Sequence, residues 1–89
     1  MIWKTEYTDE AIADLDLLSG NTSERIVHKI SFFCESNAPL DFAKPLTGKL
    51  KDFYRFRVGN YRIIFQILPD GTVCILNILS IKHRKDVYR

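Results

Sequence analysis

Residues 54–66 read Tyr54-Arg55-Phe56-Arg57-Val58-Gly59-Asn60-Tyr61-Arg62-Ile63-Ile64-Phe65-Gln66. Apolar and polar side chains alternate on both sides of Gly59-Asn60, the period of a half-buried strand. Gly-Asn between two such runs is a two-residue hairpin signal. The register follows: Val58 faces Tyr61, Arg57 faces Arg62, Phe56 faces Ile63, and Tyr54 faces Phe65. One face of the hairpin is then apolar, formed by Tyr54, Phe56, Val58, Tyr61, Ile63 and Phe65. The other sets Arg57 directly opposite Arg62, with Arg55 beside them. Like charges directly opposite on a sheet are destabilising, where favourable pairs contribute ~0.2–1 kcal/mol. Selection for the fold alone would not place them there; a bound polyanion would.

Outward from the hairpin, the chain of 89 residues, 46% hydrophobic, suits one small domain spanning residues 1–89. No apolar run approaches the ~20 residues that span a bilayer, and Met1-Ile2-Trp3-Lys4-Thr5-Glu6 lacks the apolar segment of a signal peptide. A cytoplasmic protein without membrane contact is expected. Cys34 and Cys74 fall on different elements, with no CxxC or Cys/His ligand spacing, and read as buried thiols rather than a zinc site or a disulfide. No metal or other cofactor is expected.

The net charge of +2 hides an asymmetry. Residues 1–40 hold three Lys/Arg against seven Asp/Glu, a net −4, and residues 41–89 hold ten against four, a net +6. A strongly basic half points to a nucleic-acid or other polyanionic partner.

Ile2 to Tyr7 reads as a short strand. Thr8 or Asp9 can cap a helix to about Leu18, with Ala11, Leu15 and Leu18 on one stripe. Ser19-Gly20-Asn21 breaks it, and Asn21 with Glu24 resembles a capping box for a second helix. That helix carries Ile26, Val27, Ile30, Phe33 and Cys34 and ends near Asn37-Ala38-Pro39. A polar linker runs from Pro39 to about Lys51. The arginine hairpin follows, then a turn at Pro69-Asp70-Gly71 and a strand from Thr72 to about Ile81. This last strand is apolar on both alternating sets and should sit centrally; the first strand is expected at an edge. The order predicts an α+β two-layer domain, a helical hairpin on one face of a mainly antiparallel sheet, in the order βααβββ.

A second basic cluster ends the chain: Ile81-Lys82-His83-Arg84-Lys85-Asp86-Val87-Tyr88-Arg89. His83 lies amid cations and is of the residue type most used for proton transfer, and Tyr88 could stack on a base. No glycine-rich phosphate loop, GxSxG or HExxH occurs. Carboxylates are scarce in the basic half, so a two-metal nuclease site lacks ligands. Catalysis on RNA would then be metal-free. It needs a base for the 2′-OH, cations for the pentavalent phosphorane, and an acid for the leaving 5′ oxygen. Arg57 and Arg62 suit the middle role, because guanidinium binds phosphate oxygens bidentately.

Leu46-x-Gly48, the hairpin Tyr54 to Phe65, and Ile81 to Arg89 together resemble the RelE/ParE superfamily of bacterial and archaeal toxins, most closely the RelE branch. The strand–helix–helix–strand order agrees, so the resemblance covers the whole chain. It implies the toxin of a type II toxin–antitoxin system: a metal-independent endoribonuclease that cuts mRNA in the ribosomal A site and is held inactive by a cognate antitoxin. Operator DNA would be reached only through that antitoxin. By the same resemblance the site comprises Arg55, Arg57, Arg62, then Lys82 or Arg84, and Tyr88, with His83 where relatives use a histidine in acid–base work. Lys49, Lys51, Lys82, Lys85 and Arg89 are the further candidates for RNA contact. The RelE-type general base is a lysine and this chain has Arg55 there, a residue that keeps its proton at any working pH. The alternative on the same fold is a ParE-like inhibitor of DNA gyrase without a nuclease site.

Overall fold

The computed structural model describes residues 2–87. Strand β1 (Ile2–Tyr7) leads into helices α1 (Asp9–Asp16) and α2 (Gly20–Glu35). Two short 3₁₀ turns, Pro39–Phe42 and Gly48–Leu50, flank a two-residue strand, β2 (Lys44–Pro45). Strands β3 (Tyr54–Val58), β4 (Tyr61–Asp70) and β5 (Val73–His83) follow, then a single helical turn, α3 (Arg84–Val87).

Local chemistry sets the helix ends. The Thr8 hydroxyl accepts the Ala11 N–H at 3.2 Å, and Asp9 and Glu10 follow in the first turn of α1, where carboxylates complement the helix dipole. The cap of α2 is Ser19, whose hydroxyl accepts the Thr22 N–H at 3.3 Å. Asn21 already lies inside the helix, so the expected Asn21/Glu24 capping box does not form. For the same reason α1 stops at Asp16 instead of reaching Leu18, and Leu17 is left in solvent. Beyond α2, Asn37 takes a left-handed φ of 64°, the usual exit from a helix.

The sheet order is β1-β5-β4-β3-β2. The hairpin pairs as the alternation dictates, with Arg57 opposite Arg62 and Tyr54 opposite Phe65. β5 lies inside the sheet, antiparallel to β4 and parallel to β1, which forms one edge. β2 forms the other edge, inside what the sequence reads as linker, with Lys44 opposite Arg55. Proline is tolerated there because an edge strand can leave a ladder position empty.

Strict alternation fails once, in β5. Ile64 pairs Ser80 while Phe65 pairs Ile78, so Leu79 is an extra, bulged residue. Before it, Cys74, Leu76 and Ile78 point to the core; after it, Ile81 does. Strict alternation would group Ile81 with Val73, Ile75 and Leu79. The bulge reverses the faces and re-aims the strand end, placing Lys82 opposite Arg62 and His83 opposite Tyr61.

Both helices pack on the apolar side of the hairpin. Ala11, Ile26, Ile30 and Phe33 meet Phe56, Ile63, Phe65, Leu76 and Ile78. Phe33, Phe56 and Phe65 form a continuous ring stack, with centroids 4.6 Å and 4.3 Å apart. With α1 and α2 on that side, neither covers the sheet face that carries the arginines.

Tyr7, at the end of β1, is pushed up from 10.0 to about 12, first by burial and then by the nearby Cys34 thiol. In the unfolded chain the phenol ionises near 10. Between those values the unfolded state gives up a proton that the fold retains. Stability that is complete below about pH 10 is therefore lost as the pH rises towards 12. Wild-type protein should lose more melting temperature than Tyr7→Phe between about pH 9 and about pH 11.5. Equal losses would show that Tyr7 does not carry the effect.

Candidate functional site

The hairpin turn is where the two basic segments meet. Gly59 adopts a φ of 59°, the left-handed region that a first turn residue of type II′ requires. The Asn60 carbonyl accepts the Arg84 N–H at 2.7 Å. That bond ties the segment after β5 to the turn and brings Arg84 beside the hairpin.

The result is a pocket of about 220 Å³ lined by Arg55, Arg57, Gly59, Asn60, Tyr61, Arg62 and Arg84. Four of these seven residues are guanidinium bearers and none is a carboxylate. Arginine stays charged at any working pH, so the described lining concentrates positive charge. The Arg62 Nε is buried and has no hydrogen-bond partner. A buried donor left unmade costs roughly 1–3 kcal/mol, more when charged, so an acceptor that reached this nitrogen would recover that cost. A phosphate or similar oxyanion supplies several.

Of the residues singled out in the sequence, Arg55, Arg57, Arg62 and Arg84 converge in this pocket. His83 does not line it. Its ring meets Tyr61 edge-on with centroids 5.2 Å apart, and its Nδ1 accepts the Lys85 N–H at 3.1 Å. It borders a second cavity of about 620 Å³, with Asp14, Leu17, Leu18, Tyr61, Ile81 and Lys82. Tyr61 lines both cavities.

Lys82 stands opposite Arg62 in register, but its Nζ lies 2.7 Å from Asp14 Oδ1 on α1. The second Asp14 oxygen accepts the Ile81 N–H at 2.8 Å. Lys49 and Lys51 are exposed around the second 3₁₀ turn, and Lys85 is exposed on α3; none lines the pocket. Tyr88 and Arg89 lie outside the described residues. One lining residue, Tyr61, and one neighbour outside the lining, Lys44, escape a reading of the sequence. Tyr61 looks like an ordinary core position. Lys44 lies in a two-residue strand too short to leave a periodic signal, yet it flanks Arg55.

The sequence and the fold match those of known proteins. Residues 5–88 match the model of the ParE toxin family of type II toxin–antitoxin systems. The chain belongs to that family. Within the wider RelE/ParE superfamily, this toxin is 32% identical to Toxin RelG of Mycobacterium tuberculosis, over all of its own length and 99% of the relative's. Its fold matches the toxin–antitoxin complex RelBE2 of the same organism at a TM-score of 0.76 and 28% identity, covering 94% of this chain and 100% of the other. It also matches the RelB–RelE complex of Methanococcus jannaschii at a TM-score of 0.61 and 28% identity, covering 92% and 93%. The two helices on a five-stranded mixed sheet are the RelE-like architecture that the sequence order predicts. Among the described residues of the toxin, no helix is long and apolar enough to cross a membrane.

Proposed function

We propose that this toxin is a ribosome-dependent endoribonuclease that cuts mRNA in the A site by metal-free attack of the 2′-OH, and that a cognate antitoxin neutralises it in the cytoplasm. The observation that carries this reading is the convergence of Arg55, Arg57, Arg62 and Arg84 on one pocket, with no carboxylate among its described lining residues. Attack of the 2′-OH raises the charge on the phosphate oxygens. Preorganised guanidinium donors stabilise that charge more in the transition state than in the ground state. Arg57 and Arg62 hold the non-bridging oxygens, with the orphaned Arg62 Nε supplying one of the contacts. Arg55 and Arg84 flank them.

Arg55 keeps its proton, and the described pocket lining contains no histidine or carboxylate to accept one near neutrality. His83 stands behind Tyr61. A nuclease without a base of its own in the pocket suits a toxin that acts only where the ribosome orients the message and completes the site. The family and the RelB-bound relatives support an antitoxin partner. An acidic, amphipathic segment over the open sheet face would cover the arginines.

The family description favours one other reading, a ParE-like inhibitor of DNA gyrase on the same fold. Primer extension on translated mRNA after induction separates the two. Codon-phased cuts with 5′-OH and 2′,3′-cyclic phosphate ends are expected, and cleavage should survive EDTA in any assay whose other components tolerate it. Ends bearing 5′-phosphate would overturn the 2′-OH mechanism, since they imply an activated water. Intact mRNA with damaged DNA would move the assignment to gyrase.

A further inference from the structure

Gly59 has a second neighbour besides the pocket. Arg25, on α2, lays its guanidinium against the turn so closely that a β-carbon at Gly59 would stand 3.0 Å from Nη2 and 3.7 Å from Cζ. A β-carbon there would make the guanidinium give way by a few tenths of an ångström. The type II′ turn itself favours glycine here, and the missing side chain leaves room for Arg25. The Arg25 side chain is exposed, and among the described residues it has no ion pair and no hydrogen-bond acceptor. It is one of only three Lys/Arg in the acidic first forty residues. A long cation usually extends into water or pairs with a carboxylate; this one lies against Gly59, a turn residue that also lines the arginine pocket.

We propose that Arg25 forms a second phosphate subsite, across the Gly59-Asn60 turn from the pocket, and that it contacts a neighbouring backbone phosphate of the same RNA strand. This rests on the reading of the toxin as acting on RNA. The turn then acts as a saddle: one phosphate sits in the pocket against Arg57 and Arg62, and the strand passes over Gly59, where no side chain obstructs it, to meet Arg25. Because Arg25 lies outside the pocket lining, it positions the strand and does not take part in the chemistry. Its loss should weaken binding and leave the fold intact.

The test uses full-length toxin and a short single-stranded 2′-O-methyl RNA, which cannot be cut. Binding is measured across a series of NaCl concentrations for wild type, Arg25→Gln, Arg25→Lys and Arg57→Ala. Each phosphate contact on a single strand contributes about 0.7 to the slope of log K against log salt. Arg25→Gln should lower the slope by about that amount with an unchanged melting temperature, and Arg25→Lys should restore it. If Arg57→Ala lowers the slope and Arg25→Gln does not, the Arg25 subsite is wrong while the RNA reading stands. The subsite is equally wrong if Arg25→Gln weakens only the antitoxin complex. If wild type does not bind, or no variant changes the slope, the Arg25 subsite is wrong, and codon-phased cleavage of translated mRNA decides separately whether the RNA reading stands.

Discussion

Arg62→Ala and Arg57→Ala should each abolish growth inhibition while melting at or slightly above the wild-type temperature. In the register observed, the two residues face each other across the hairpin, with Cβ atoms ~4.5–5.5 Å apart for such pairs. Removing either relieves repulsion in the free protein. Arg62→Ala also removes the buried Nε that no group in the fold satisfies. Neither change opens the core, because Phe56, Ile63 and Phe65 lie on the opposite face and stay covered by the helices. The same changes delete a donor aimed at the developing charge of the phosphorane, and a preorganised donor of that kind is typically worth ~10²–10³ in rate. Arginines that held the sheet together would behave oppositely, losing stability and toxicity in parallel. Thermal melts beside a growth-inhibition assay separate the cases, and melting temperatures well below wild type in both variants would end the functional reading of this hairpin.

The hairpin was legible because two independent signals agreed on it. Period-two alternation named the faces and Gly59-Asn60 named the turn, so Arg57 had to face Arg62. β5 offered no such agreement. Its residues are apolar in both alternating sets, so no contrast marks which set is inside, and the bulge at Leu79 leaves no trace in composition. The side of the sheet taken by Ile81, Lys82 and His83 depends wholly on that bulge. This is why the sequence could gather the basic residues into one cluster without separating His83, behind Tyr61, from the four pocket arginines. The start of α2 was ambiguous for another reason: Ser19 and Asn21 are both good cap residues, and only the tertiary packing decides between them. Arg25 reads as an ordinary solvent-facing helix position until the turn is seen folded against it.

Asp14 is the contact that the sequence conceals most completely, and Asp14→Ala should be the most damaging change outside the core. β1 pairs β5 only as far as Tyr7 opposite Ile78, so the end of β5 runs on past its neighbour. Thr8 covers the next positions: its N–H donates to the Ile78 carbonyl at 3.0 Å and its hydroxyl to the Leu79 carbonyl at 3.1 Å. Asp14 then accepts the buried Ile81 N–H and holds Lys82, with only 7% of its own side chain exposed. The ion pair itself adds little, because the Lys82 side chain is 44% exposed and well screened. The larger loss in alanine is the Ile81 N–H left without a partner, on the order of 1–3 kcal/mol, together with the packing of the carboxylate. In a domain of this size each kcal/mol shifts the melting temperature by roughly 4–8 °C, so a drop of about 10–20 °C is expected. Asp14→Asn keeps an oxygen for the Ile81 N–H and should lose less than half as much. Toxicity should follow the same ranking, because the strand end that Asp14 anchors continues into Arg84, whose N–H closes the pocket onto Asn60. An Asp14→Ala protein that melts within a few degrees of wild type, or one that loses no more stability than Asp14→Asn, would show that the strand end is held by something other than this carboxylate.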